Sequence, residues 1–201
     1  QLLEQDPPSQ KDYRRSISQA IEDTNRIERL VHDMLLLSSL EHSRQEAPAT
    51  FSLVRVGDSL VSAIEQLTPI AQLRSVSLIF EDKCNLRVRG TESDLALLWT
   101  NLVENAVRHS EPGTEVRIEV EDLESRCRVQ IIDKGSGIPC SDLPHVFERF
   151  YRSDASRSRL TGGFGLGLPI AMAIVEKFDG TIHLSSIPGA GTTVEVTLPA
   201  Q

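Results

Sequence analysis

Three short stretches hold residues whose types and spacing could do chemistry. The first is Asn101-Leu-Val-Glu-Asn105-Ala-Val-Arg108-His109. Two asparagines four positions apart share one face of a helix. Asparagine is a modest helix former and costly to bury without a partner, so the pair invites a polar ligand. An amide oxygen can coordinate Mg²⁺, a hard cation that keeps several waters and is shared with substrate phosphates. Arg108, three residues beyond Asn105, can reach the same phosphates. Taken alone, the stretch fits a solvated helix face equally well.

The second stretch is Asp133-Lys-Gly135-Ser-Gly137-Ile-Pro139. A carboxylate ends the apolar run Val129-Gln-Ile-Ile132, and the chain then turns on two glycines. Glycine permits backbone geometry and close approach that a Cβ forbids. A carboxylate there suits an exocyclic amine such as that of adenine, a donor that a buried site must satisfy. By itself an ordinary Asp-Gly turn is the stronger reading. The third stretch is Gly162-Gly163-Phe164-Gly165-Leu166-Gly167-Leu168-Pro169. It opens a helix with Pro169 in the first turn, where free N–H groups attract phosphate. No Gly-Lys-Ser/Thr follows, so it is not a P-loop. Residues 152–161 before it are polar without an apolar period and read as a lid. A flexible linker is the alternative.

The elements that must position these stretches follow from periodicity. Residues 9–41 read as one long helix, entered after Pro7 and Pro8 through a capping pair of Ser9 and Asp12. Ile17, Ala20, Ile21, Thr24, Ile27, Val31, Met34, Leu35 and Ser38 recur at three- and four-residue steps, with Leu30 and Leu37 as a flanking row. Such a broad stripe suits a helical bundle and needs a partner helix. Residues 42–50, with Pro48, look like a hinge. Beyond it, strands are expected over 51–56, 76–80, 86–88, 116–120 and 127–132. Helices are expected over 57–74, with a kink at Pro69, over 91–108, N-capped by Thr91, and over 166–178. A terminal hairpin pairs 181–186 with 193–198 around Pro188-Gly189-Ala190-Gly191. Together these imply an α+β sandwich: one mixed sheet covered by helices on one face, preceded by a long bundle helix.

Composition narrows the partners. The 201 residues carry a net charge of −8, which argues against a general nucleic-acid or membrane-surface binder. Phosphate chemistry must then be local, made by backbone amides, a few basic side chains and a metal ion. The three cysteines, Cys84, Cys127 and Cys140, form no Cys-x-x-Cys pair, so neither a disulfide framework nor a zinc site is expected. No apolar run reaches the ~18–20 residues that span a bilayer. The opening residues read as the tail of something cut, and the chain as an excised soluble piece.

In combination the stretches say more. Their order is asparagine helix, Asp-x-Gly-x-Gly turn, aromatic segment Phe147-Glu-Arg-Phe150-Tyr151-Arg152, then glycine-rich loop. This order and spacing resemble the N, G1, F and G2 boxes of the sensor histidine kinases, from about residue 50 to 199. The first helix resembles the second helix of that family's dimerisation and phosphotransfer domain. The resemblance divides the chain into a partial phosphotransfer domain, 1–46, and an ATP-binding catalytic domain, 47–201, with the histidine kinase/Hsp90-like ATPase fold. It implies ATP and Mg²⁺ as cofactors. Asn105 would be the metal ligand and Asn101 would line the same pocket. Arg108 and His109 would approach the phosphates. Asp133 would take the adenine amine, with Gly135 and Gly137 shaping that wall. Gly163, Gly165, Leu166 and Gly167 would offer phosphate contacts. Phe147, Phe150 and Tyr151 would anchor the lid, although core packing accounts for Phe147 as well.

The resemblance also implies transfer of the ATP γ-phosphoryl to a histidine and relay to a response-regulator aspartate. The related ATP hydrolases place a water-activating glutamate four residues before the metal asparagine; here that position is Asn101, which cannot act as a base. The family's His-Glu/Asp-x-x-x-Pro box is missing from this chain, and His32, His42, His145 and His183 stand in no such motif. The expectation is a fragment that binds ATP without phosphorylating itself. The intact protein would be a homodimer through its bundle and this part its cytoplasmic portion, tied to the inner membrane only through a missing N-terminal part. A nucleotide-binding regulatory module without turnover, and a dimerisation fragment with a vestigial ATP site, are the competing classes.

Overall fold

The computed structural model describes residues 10–43, 51–152 and 163–201. The capping residue Ser9, residues 44–50 of the expected hinge and 153–161 of the expected lid lie outside the described residues, and 42–43 continue the first helix. Helix α1 runs Gln10–Ser43. Strand β1, Ser52–Arg55, leads directly into α2, Val56–Leu73, which continues through Pro69. Strands β2, Ser77–Asp82, and β3, Arg87–Gly90, precede α3, Glu92–His109. Then come β4, Glu115–Asp122, β5, Arg126–Ile132, a single 3₁₀ turn at Leu143–His145, and α4, Gly167–Lys177. The chain ends with the hairpin of β6, Thr181–Ile187, and β7, Gly191–Pro199.

Five strands form one sheet in the order β2-β4-β5-β7-β6. The β2–β4 pair is parallel and the others are antiparallel, so the sheet is mixed as expected. Alternation decides its faces. Val116, Ile118 and Val120 of β4, Cys127, Val129 and Ile131 of β5, and Val194, Val196 and Leu198 of β7 are buried. Register aligns them in rows, Val120–Val129–Val196 and Ile118–Ile131–Val194. Helices α2, α3 and α4 pack over this face. The other face is charged: Arg128 pairs with Glu121 and, at 3.7 Å, with Glu195, while Gln130 donates to Glu195 at 2.9 Å.

One arrangement departs from the single sheet expected. β1 and β3 pair antiparallel as a separate two-stranded sheet, joined to the chain end by a bridge between Val88 and Ala200. Gly90 closes β3 under the ring of Phe178, which Phe51 meets edge-on at 5.5 Å. These strands are short, and Val54 and Val88 have a local apolar cover to bury against, so they need no place in the large sheet.

Helix α3 is built as its sequence predicts. The Thr91 hydroxyl accepts from the Asp94 N–H at 3.1 Å, and acidic Glu92 and Asp94 meet the positive helix start. Leu95, Leu98, Trp99, Leu102, Val103, Ala106 and Val107 form its buried face. Trp99 is fully buried, and its indole N–H donates to the Ser59 hydroxyl of α2 at 2.9 Å. That hydroxyl donates in turn to the Val56 carbonyl at 2.8 Å. Lys177 of α4 donates to Asp94 at 2.8 Å and ties α4 to α3.

Helix α1 uses its apolar residues differently from the broad single stripe expected. Ile17, Ile21, Ile27, Val31, Met34 and Leu35 are exposed. Leu37 and Leu40 are buried and Leu30 is partly buried, on the face that packs against α4. The flanking row is thus a second face, and it is covered.

Replacing Ser59 with Ala leaves the Trp99 N–H buried without an acceptor. The unfolding free energy is expected to fall by ~1–3 kcal/mol in urea denaturation followed by Trp99 fluorescence.

Candidate functional site

The polar side of α3 carries Asn101, Asn105, Arg108 and His109, all half-buried, where Leu98, Leu102 and Ala106 are fully so. The amide N–H of Asn101 donates to the Leu97 carbonyl at 2.9 Å. Its oxygen is turned to the start of α4, where a Cβ on Gly167 would stand 3.0 Å from it. Arg108 pairs with Glu104 one turn earlier. A Cβ on Gly163 would lie 2.5 Å from an Arg108 guanidinium nitrogen. The asparagine helix and the glycine stretch therefore meet directly, at both ends of that stretch.

The second stretch meets the end of the same helix. Ser110 bridges to Gly135, and a Cβ on Gly135 would come within 2.1 Å of the His109 carbonyl oxygen. Only glycine permits this approach. Asp133, 7% exposed, accepts on Oδ1 from the N–H groups of Gly135 at 2.9 Å and Thr192 at 3.1 Å. Its own N–H donates to the Thr192 carbonyl at 2.9 Å. Gly137 passes close to the Ile187 carbonyl on the hairpin. Burial holds the Asp133 carboxyl above its ordinary value of 3.8, with the two backbone donors pulling the other way.

The glycine stretch is fixed from the aromatic side as well. Gly165 has φ +72°, and its carbonyl accepts from the Phe150 N–H at 3.0 Å. Leu166 is buried and stands at the cap of α4, whose start has no side-chain cap. The first N–H groups of a helix have no partner within it, so this end is a phosphate-sized donor set. Phe147 lines a groove with Leu37 and Leu40 of α1, Phe150 is exposed, and the Tyr151 ring lies 5.5 Å from that of His145.

Three residues near the site were missed by sequence reading. Thr192 secures Asp133 through backbone groups; the Gly191-Thr192 pair after the hairpin turn could have signalled it. Arg74, at the end of α2, donates to the Arg108 carbonyl at 3.0 Å. Arg152, with Arg74 and Arg108, surrounds His109. Burial first, and then these three guanidiniums, hold the His109 imidazole below its ordinary value of 6.5. No local pattern announces Arg74, because the fold alone brings it there. Among the described residues no three His, Cys, Asp or Glu side chains could together hold a metal ion.

Residues 90–201 match the family model of the histidine kinase-, DNA gyrase B- and HSP90-like ATPases. The chain belongs to this ATPase family. It is 35% identical over 188 residues to the sensor-like histidine kinase SenX3 of Mycobacterium tuberculosis, covering 93% of this chain and 45% of that one. It is 38% identical over 184 residues to the probable sensor histidine kinase TcrY of the same species, covering 92% and 38%. The chain thus spans less than half the length of these relatives. The fold is shared with the Acinetobacter baumannii histidine kinase AdeS at a TM-score of 0.72 and 20% identity, over 96% of this chain and 86% of that one. The matched unit belongs to this ATPase family and is here preceded by α1. Among the described residues no helix is long and apolar enough to cross a membrane.

The ATPase-family turn makes a pH signature. A carboxyl whose folded value is raised binds its proton more tightly when folded, so its contribution to stability falls as pH rises from 3.8 through the folded value. Asp133→Asn keeps an oxygen for the two N–H donors and removes the charge. Urea titrations across that window should show parent stability falling relative to the variant as pH rises, then a constant difference above it. A pH-independent difference would contradict the assignment.

Proposed function

We propose that this chain binds Mg-ATP between the Asp133 turn and the polar face of α3, and donates the γ-phosphoryl to a histidine outside it. What carries the reading is convergence. The end of α3 touches the Asp133 turn through Gly135, and its side chains touch the glycine stretch at Gly163 and Gly167. The free Oδ2 side of Asp133 receives the adenine amine, while Oδ1 is held by backbone. Gly135 and Gly137 form the wall beside it. Phosphates lie against the backbone of Gly163, Gly165, Leu166 and Gly167 at the uncapped start of α4, with Arg108 and His109 alongside. The Asn105 amide oxygen is a hard donor that fits Mg²⁺ as one ligand beside phosphate oxygens and water. The ion would neutralise charge on the transferring group.

Transfer is favoured over hydrolysis. Asn101 cannot accept a proton from water, and Glu104 is engaged with Arg108. Residues 1–46 then belong to a helical phosphotransfer domain and 47–201 to the catalytic domain, a boundary that falls in 44–50, outside the described residues. The exposed Ile17, Ile21, Ile27, Val31, Met34 and Leu35 of α1 are the surface for a bundle in a homodimer. The motif resemblance to sensor histidine kinases extends the proposal to relay onto a response-regulator aspartate, with this part on the cytoplasmic side of a membrane-bound sensor.

Calorimetry with Mg-ATP tests the site. Asn105→Ala should lose about tenfold or more of the Mg-dependent affinity, roughly 1.4 kcal/mol. Asp133→Asn sets an amide N–H against the adenine amine and should weaken ATP roughly 10- to 100-fold. The same variant should lose less for an inosine nucleotide, whose C6 carbonyl oxygen accepts that N–H. Equal losses for both nucleotides would remove Asp133 from base recognition.

With γ-labelled ATP, the chain alone should take up no label, while an added histidine-bearing bundle from the same protein should. Label on the isolated chain would refute the two-part reading.

A further inference from the structure

The glycine stretch has little side-chain mass with which to hold itself. Between Gly163 and Gly165 its one bulky side chain is Phe164, partly buried against the core. On the α3 side, polar side chains lie close against it, with Arg108 at Gly163 and Asn101 at Gly167. On the other side stands α1, whose Arg26 guanidinium carbon lies 5.0 Å from the centre of the Phe164 ring. A guanidinium over an aromatic face within ~6 Å is attracted by the ring quadrupole. Leu30, one turn on, is partly buried, and the firmer anchors of α1 lie further along the helix: Leu37 and Leu40 are buried, and Glu41 pairs with Arg149. Arg26 and Glu41 are roughly 22 Å apart along the axis, so the two contacts can be broken separately.

We propose that Arg26 is a positioning residue for the phosphate-binding backbone. Carried on α1, it holds Phe164, and with it the flanking glycines, in the geometry that receives nucleotide phosphates. Nucleotide binding and the seating of α1 are thereby coupled, and the coupling is reciprocal. The inference rests on the ATP site proposed above. It adds that an element outside the ATPase family unit reaches into that site through one side chain.

The test compares Arg26→Ala, Arg26→Lys, Phe164→Leu and the double variant Arg26→Ala/Phe164→Leu with Glu41→Gln, all in the full chain. Mg-ATP affinity should fall about 2- to 5-fold in Arg26→Ala and in Phe164→Leu, with no further loss in the double variant. Arg26→Lys should fall between parent and Ala. Without nucleotide, hydrogen exchange of the amides over 163–168 should speed up in Arg26→Ala and clearly less in Glu41→Gln, while α3 and the sheet stay unchanged. Unchanged affinity, additive losses, or an exchange effect as large in Glu41→Gln as in Arg26→Ala would each overturn the proposal. If the parent binds no ATP while Arg26→Ala still frees the 163–168 amides, the ligand reading fails and the clamp stands.

Discussion

A helix that buries one face and lends the other to a ligand must be held at a fixed height and rotation over its sheet. In α3 that constraint is met by Trp99. Its ring fills the space beneath α2, and its N–H is spent on Ser59. A rotation of α3 by one residue step would turn Trp99 outward by about 100° and carry Asn101 and Asn105 into the core. The apolar contacts alone would tolerate some slip, since Leu98, Leu102 and Val103 are interchangeable in character. The directional bond from the indole to Ser59 is not, because a buried N–H that loses its acceptor costs ~1–3 kcal/mol. The placement of every polar group on the other face follows from it.

The far end of α3 is fixed by a different kind of contact, made by backbone rather than side chain. Gly135 lies against the His109 carbonyl, and Thr192 holds Asp133 from the neighbouring strand. The result is an electrostatic gradient across a short distance. A buried acceptor stands at one end, and Arg74, Arg108 and Arg152 gather around His109 at the other. A nucleotide has the complementary order, with an amine donor on the base and negative charge on the phosphates. The chain's net charge of −8 does not oppose this, because the arginines act within a Debye length of ~8 Å.

Much of this was legible from residues because the signals were local. Thr91 and Asp94 announce the start of α3, and the alternation in 116–120 and 127–132 announces paired strands with one buried face. The three polar stretches could be ordered along the chain, and the family's order gave them meaning. Position in space was not legible. Arg74 reaches Arg108 across thirty-four residues, and Thr192 reaches Asp133 across fifty-nine, so no window of sequence contains either pair. The small β1–β3 sheet was hidden for a related reason. Its strands alternate like the others, and only the Phe51–Phe178 contact gives them a cover of their own.

Helix α1 misled because a periodic pattern reports that a face is apolar and does not report what covers it. At 100° per residue, the exposed row through Ile17, Ile27, Val31 and Met34 and the covered row through Arg26, Leu30, Leu37 and Leu40 are centred roughly 120° apart. The two rows can therefore be satisfied at once, one by another helix and one by α4. The covered row is not a strong seat. Two leucines are fully buried in it. Asp33 lies in the same face, where burial raises its carboxyl above the ordinary 3.8, with nearby Glu104 adding to the effect and His32 opposing it. Burial of this carboxyl therefore works against the seated helix. A seat with so few apolar contacts and an opposing carboxyl opens at modest cost. That suits the two-part enzyme proposed above, because a donor domain held permanently against one side of a bundle helix could serve only the acceptor within its reach.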